Sequence, residues 1–138
     1  MGRILAIDYG KKRVGLAVTD PMKMIANGLD TVHPNKLMNY LKEYCSREPV
    51  ETIVVGYPKQ MNNTDSEAME YIRPFMKKLK KQFPSIPVEI EDERFTSKMA
   101  KDAMIEGGMK KKQRQNKAHV DRISATIILQ SFLERHKI

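Results

Sequence analysis

The sequence predicts an α/β fold, one mixed β-sheet with helices on both faces. Three observations predict it. Short apolar runs read as three strands in succession at the amino end, and beyond them helical and strand patterns alternate. The run Thr52-Ile-Val-Val-Gly56 is β-branched throughout its middle, the character of a central parallel strand. The last segment is apolar over much of its circumference, as a helix pressed firmly onto a sheet must be.

Taken in order, residues 3–8 (Arg-Ile-Leu-Ala-Ile-Asp) lie between Gly2 and Gly10 and predict a buried strand. Residues 13–19 predict a second, closed by Asp20-Pro21, and the Tyr9-Gly10-Lys11-Lys12 connection is short enough for a hairpin. A third strand is expected near Leu29–His33. Asn35 then suits the cap of a helix over 36–46, with Leu37, Met38, Tyr40, Leu41, Tyr44 and Cys45 on its buried side. After the strand at Thr52–Gly56, Thr64 and Glu67 make a capping box for a helix toward Gln82. Pro74 falls inside that helix and should bend or interrupt it. Val88–Asp92 predicts another strand, and Ser97–Glu106 a short helix stopped by Gly107-Gly108. Ala118 to His136 forms the closing helix. A meander followed by βαβ crossovers implies a sheet with both parallel and antiparallel pairs.

Composition narrows the class. The 138 residues suit one domain over 1–138, and 41% hydrophobic with 30% charged residues gives enough apolar mass for one core. No run approaches the roughly 18 apolar residues of a membrane span. The acid at position 8 breaks the apolar start too early for a secretory leader. Cys45 is the sole cysteine, so neither an internal disulfide nor a zinc cluster is available, and helical apolar neighbours make it a core residue. The expected location is cytoplasmic. Lys and Arg number 25 against 17 Asp and Glu, a net charge of +8 that favours polyanion partners such as RNA or DNA.

The informative acids end strands or begin helices. Asp8 closes the first strand and Asp20 the second; Glu91, Asp92 and Glu93 close the last, and Asp121 lies in the first turn of the final helix. In a wound sheet, carboxyl ends of parallel strands open onto one crevice. Asp8 and Glu93 would share its rim, with Asp121 reaching in from the helix above. Three converging carboxylates repel one another unless a cation neutralises them, and hard oxygen donors suit Mg²⁺ or Mn²⁺. Singly, each acid reads equally well as a cap or a surface charge.

Four blocks carry a resemblance to a known family. Asp8-Tyr-Gly-Lys-Lys-Arg-Val-Gly-Leu-Ala-Val-Thr-Asp20 resembles the opening motif of the YqgF/RuvX family, RNase H-like proteins described as pre-16S rRNA nucleases or Holliday junction resolvases. Gly56-Tyr57-Pro58 is similar to its Gly-x-Pro element, with Tyr57 where leucine is usual. Asp92-Glu93-Arg94-Phe95-Thr96-Ser97 resembles its Asp-Glu-Arg block. Lys117 to Ala125 resembles its closing helix.

The resemblance implies a five-stranded sheet in spatial order 3-2-1-4-5, flanked by helices on both faces. It implies a metal-dependent nuclease whose catalytic and metal-binding acids are Asp8, Glu93 and Asp121, the trio that strand-end placement also selects. Two Mg²⁺ or Mn²⁺ per site are expected. Asp20 and Asp92 remain candidates for a fourth ligand, and Gly56 for a close approach of metal or phosphate, against a plain turn glycine.

Cations are expected to hold the nucleic acid. Lys11, Lys12 and Arg13 follow the Gly10 turn; Arg94 either forks onto a phosphate or pairs with Asp92. Lys110, Lys111, Lys112, Arg114 and Lys117 form a basic arm with no acid between them, read either as a clamp on the backbone or as a solvated loop. Lys77, Lys78, Lys80 and Lys81 read as solvated. His119 reads as a cap or surface group before a general base.

The substrate is expected to be pre-16S rRNA, trimmed at its 5′ end, or branched DNA. No membrane and no organic cofactor are expected, and the chain should be a monomer or weak homodimer. A binding module without catalysis is the rival class. An actin-like ATPase fragment is a distant third, since the chain is too short for a second lobe.

Overall fold

A computed structural model of the protein describes residues 2–57, 69–92 and 117–136, with the side chains at 69, 92, 117–123 and 136 outside that description. The strands are β1 (Arg3–Tyr9), β2 (Val14–Thr19), β3 (Ala26–Val32), β4 (Val50–Tyr57) and β5 (Val88–Asp92). The helices are α1 (Pro34–Arg47), α2 (Met69–Gln82) and α3 (Lys117–His136). The five strands form one sheet in the order β3-β2-β1-β4-β5. β1 pairs antiparallel with β2 and parallel with β4, β2 pairs antiparallel with β3, and β4 pairs parallel with β5. The expected mixed sheet and strand order are both present, and β1 is its centre.

Period-2 alternation divides the sheet into two cores. Leu5 and Ile7 of β1, Leu16 of β2, and Ile53 and Val55 of β4 pack with Leu37 and Leu41 of α1 and Ile72, Phe75 and Leu79 of α2. Ile4 and Ala6, Ala17 and Val54 face the other way, onto Ala125, Ile128, Leu129 and Phe132 of α3. β1 is apolar on both faces because helices cover both. The small side chains of Ala6, Ala17 and Ala125 let α3 lie close to the sheet.

Several local expectations are corrected. α1 begins at Pro34, with His33 rather than Asn35 as its cap: His33 Nδ1 accepts from the Asn35 amide at 3.1 Å. Proline's fixed φ and missing N–H suit the first helical position, so the helix starts earlier than the Asn35 signal suggests. β3 also starts earlier, at Ala26; the register shifts between Leu16–Asp30 and Ala17–Gly28, leaving Leu29 as an extra residue that disturbs the alternation. α2 runs unbroken through Pro74. Gly56 lies within β4, opposite Glu91, and is no turn glycine. Asp121 falls in the second turn of α3 rather than the first, because the helix already includes Lys117. Cys45 is half-buried, and burial pushes its thiol up, as suits an inert packing residue. The Thr64–Glu67 capping box, the 97–106 helix and the 107–116 stretch lie outside the described residues. Among the described residues no helix is long and apolar enough to cross a membrane.

The sheet's amino end is tied by side chains. Thr19, fully buried, accepts from the Ile4 amide at 2.9 Å, and Arg3 Nη1 donates to the Thr19 carbonyl at 3.0 Å. Glu51 takes Lys23 Nζ at 2.7 Å and the Gly2 amide at 3.2 Å. These bonds fix β1 between its neighbours, and so fix where its other end emerges.

Candidate functional site

Asp8 is the sixth residue of β1 and shares the parity of Ile4 and Ala6, so it belongs to the face that α3 covers. It is half-buried near the carboxyl end of the central strand. Its register partner on β2 is Gly15. On the other side, the step after the Ile7–Val55 pair brings Asp8 beside Gly56. A carboxylate is thus flanked in its row by two residues without side chains. The absence of Cβ atoms on both sides of Asp8 permits close approach of a divalent cation to a hard oxygen donor.

The carboxyl-terminal half of α3 has a neighbour at the other end of the sheet. Gln130, Leu133 and Glu134 share a groove with Met24, Ile25 and Ala26, at the β2–β3 connection beside the amino end of β1. From Leu133 back to Asp121 is twelve helical residues, about 18 Å. From Arg3 to Asp8 the strand advances roughly 16 Å. The two lengths are comparable, so an α3 running antiparallel to β1 from this groove would carry its backbone at Asp121 to the Asp8 end. The Asp121 side chain and all of Glu93 are outside the described residues. Among the described residues no three metal-ligating side chains converge.

Beyond Gly56 in the same row comes Glu91, which is 1% exposed. Ser131 Oγ donates to its Oε2 at 2.5 Å, and Arg135 Nη1 lies 3.0 Å from its Oε1, near enough for an ion pair but without hydrogen-bond alignment. This acid clamps β5 to α3. Sequence reasoning grouped it with Asp92 and Glu93; parity separates it from Asp92, and its contact with Ser131, which only the packing of α3 on β5 reveals, marks it as a structural acid. Glu93 follows it by two residues.

Asp20 is corrected as a candidate ligand. β2 runs against β1, so its carboxyl end lies at the opposite edge of the sheet from Asp8. There Asp20 accepts from the Met22, Met24 and Ile25 amides at 3.2, 2.9 and 2.8 Å, and these bonds hold its carboxyl below its ordinary value.

The turn between β1 and β2 spans residues 10–13. A Cβ on Gly10 would sit 2.5 Å from the Arg13 carbonyl oxygen, so glycine permits the tight closure. Lys11 and Lys12 are exposed there and Arg13 is half-buried, two to four residues beyond the strand that carries Asp8. Arg94, Lys110, Lys111, Lys112 and Arg114 lie outside the described residues; Lys117 opens α3 with its side chain undescribed.

With this geometry in view, likeness to known proteins can be weighed. The model of the family described as RuvX, Holliday junction resolvase, matches residues 2–135. The chain belongs to the RuvX family. A relative from Phocaeicola vulgatus, named for a proposed pre-16S rRNA nuclease activity, is 62% identical over 99% of both chains. One of the same name from Bacteroides thetaiotaomicron is 60% identical over 97% of both. Among solved structures, Thermus thermophilus RuvC with a Holliday junction substrate aligns with TM-score 0.60 and 18% identity, covering 99% of this chain and 96% of that one. The Fowlpox virus resolvase with Holliday junction DNA gives 0.62 and 12%, covering 97% and 98%. At such identity the likeness is one of fold, and it shows the RNase H-like architecture of the RuvX chain. The family supports a hydrolase acting on nucleic acid.

Proposed function

We propose that this RuvX chain, as one domain over residues 1–138, is a divalent-metal-dependent nuclease that cleaves phosphodiester bonds in structured nucleic acid. Its task in this reading is 5′-end processing of pre-16S rRNA in the cytoplasm. The observation that carries the reading is Asp8 set between Gly15 and Gly56 at the carboxyl end of the central strand. The names of relatives at about 60% identity over nearly the whole chain support the RNA substrate.

Asp8, Glu93 and Asp121 are the proposed holders of two Mg²⁺ or Mn²⁺. When bound, the ions supply Lewis acidity for activating water and for stabilising the leaving 3′-oxygen. The chain's own part is to hold three anions, far apart in sequence, at one place. Mutual repulsion disfavours such a cluster without cations and so gives it affinity for them. Lys11, Lys12 and Arg13 bind phosphates beside Asp8 through charge and the backbone amides of their turn. Arg94, the 110–114 cations and Lys117 add affinity that is independent of base sequence. Arg135 and Ser131, through Glu91, hold α3 against β5, two residues before Glu93 in the sequence.

The family's description as a resolvase favours one second reading, cleavage of four-way DNA junctions. Both are tested by incubating wild type and Asp8→Asn with a pre-16S rRNA fragment and with a synthetic junction, each in Mg²⁺ and in Mn²⁺. The expected result is metal-dependent cutting of the RNA by wild type alone, with binding retained by the variant. Preferential cutting of the junction would install the second reading. Binding without cutting of either substrate would leave a nucleic-acid-binding module.

A further inference from the structure

We propose that the cavity between α1 and α2, at the carboxyl end of β1, receives one unpaired base of a single-stranded nucleic acid. The base stacks at Tyr9 and Tyr71, and its phosphate is drawn toward Lys78. The placement of this site in a cleavage reaction rests on the nuclease reading; the pocket itself does not.

The cavity measures about 300 Å³, the lower end of the range for small-ligand pockets. Its aromatic wall is already assembled. Tyr9 stacks on Phe75 with ring centroids 4.2 Å apart and planes 16° apart, and Tyr71 leans against Tyr9 at 5.9 Å and 43°. Phe75 is 6% exposed and anchors the group in the core, so little ring motion remains to be frozen when a ligand arrives. Tyr9 and Tyr71 are only half-buried and line the open space. Close-packed interiors do not leave voids of this size between helices, whereas ligand sites do.

The lining also selects a chemical class. Flat aromatic walls suit a flat π-system. Exposed Asn35 and the two phenols offer donors and acceptors to a heteroaromatic edge that a purely apolar ligand would leave unmet. The charge nearby is positive: Lys78 lines the cavity, and the exposed Lys11 and Lys12 follow the lining residue Tyr9 by two and three residues. Stacking rings between cations are how proteins hold single strands. Lys78, which sequence alone reads as solvated, thereby acquires a partner.

Location joins this pocket to Asp8. Asp8 and Tyr9 are consecutive, so their side chains leave one strand toward opposite faces. A strand with a phosphate at Asp8 need only pass over the end of β1 to lower a neighbouring base into the cavity. Cleavage would then prefer an unpaired nucleotide beside the cut.

The test uses a short single-stranded RNA containing one 2-aminopurine, titrated in EDTA so that no cleavage occurs. Wild type should quench the fluorophore on binding. Tyr71→Leu should relieve the quench and weaken binding about tenfold. Met38→Trp, which plugs the cavity, should act likewise, and Lys78→Ala should lower the salt-dependence slope by about 0.7. Thermal melts near that of wild type would establish that each variant is folded. If folded Tyr71→Leu and Met38→Trp quench and bind as wild type does, the pocket is overturned, and the nuclease reading stands. A wild type that quenches but never cuts in metal would do the reverse, retaining the pocket and removing the nuclease.

Discussion

The two ends of the sheet use the same residue types for different purposes. At the amino end of β1 the acids are committed to the fold. Asp20 accepts three backbone amides, Glu51 holds Lys23 and the Gly2 amide, and Glu48 takes Arg3 at 3.3 Å. At the carboxyl end, Asp8 stands between two glycines, a cationic turn follows it, and a cavity opens on the far face. Side-chain bonds close the amino edge, and the glycines beside Asp8 keep Cβ atoms out of its row at the other. The comparison teaches that an acid at a strand end means little until the strand's direction is known, since Asp8 and Asp20 both close strands but at opposite edges.

Substitutions that separate the ends should separate stability from activity. The largest stability effect is expected at Glu91, a buried acid of the carboxyl row that clamps β5 to α3. Arg135→Ala leaves a buried carboxylate facing only Ser131. It should cost about 1–3 kcal/mol, discounted from a fully buried pair because the Arg135 side chain is 58% exposed. Glu91→Leu removes the charge along with its need for a partner and should cost less; urea denaturation of the two variants ranks them. Next comes Thr19→Val at the amino end, which strands the buried Ile4 amide. It should cost about 1–2 kcal/mol in the same measurement while cleavage is unchanged.

A smaller effect, on binding rather than folding, is expected from replacing Lys11 and Lys12 together with alanine. The melting temperature should hold, and the logarithmic salt dependence of RNA affinity should fall by roughly 1 to 2. The smallest is a pH effect at Asp20. Its folded-state carboxyl lies below its ordinary value, so its stabilisation is complete above that value and is lost as pH falls through the lower folded one. Amide exchange at Met24 and Ile25 should accelerate in that acid range and show no such step in Asp20→Asn.

Much of this fold was legible because β1, β2 and β4 are dense apolar runs that tertiary packing had no reason to override. Val88–Asp92 matched its expected bounds. β3 was misplaced because the bulge at Leu29 breaks the alternation on which strand reading depends, and because Asn27-Gly28 resembles a turn. The α1 cap was misassigned because the Asn35 signal outweighed a histidine, a less usual cap, that Pro34 makes workable. Asp8 was legible as a strand-end acid. The clamp at Glu91 was not, since it depends on which surface of α3 meets β5, a property of packing that no local pattern carries. The Tyr9 cavity was hidden for a similar reason: Tyr9, Met38 and Tyr71 come from three elements that only the fold brings together.

The central claim is that Asp8, Glu93 and Asp121 form one cation site. It is tested most directly by titrating Mn²⁺ into the nucleic-acid-free protein by calorimetry, for wild type, Asp8→Asn, Glu93→Gln and Asp121→Asn. The account predicts saturable binding of two ions by wild type and a loss of affinity of roughly tenfold or more in every variant. Unchanged Mn²⁺ affinity in folded Asp8→Asn, or an effect confined to one of the three acids, would contradict it.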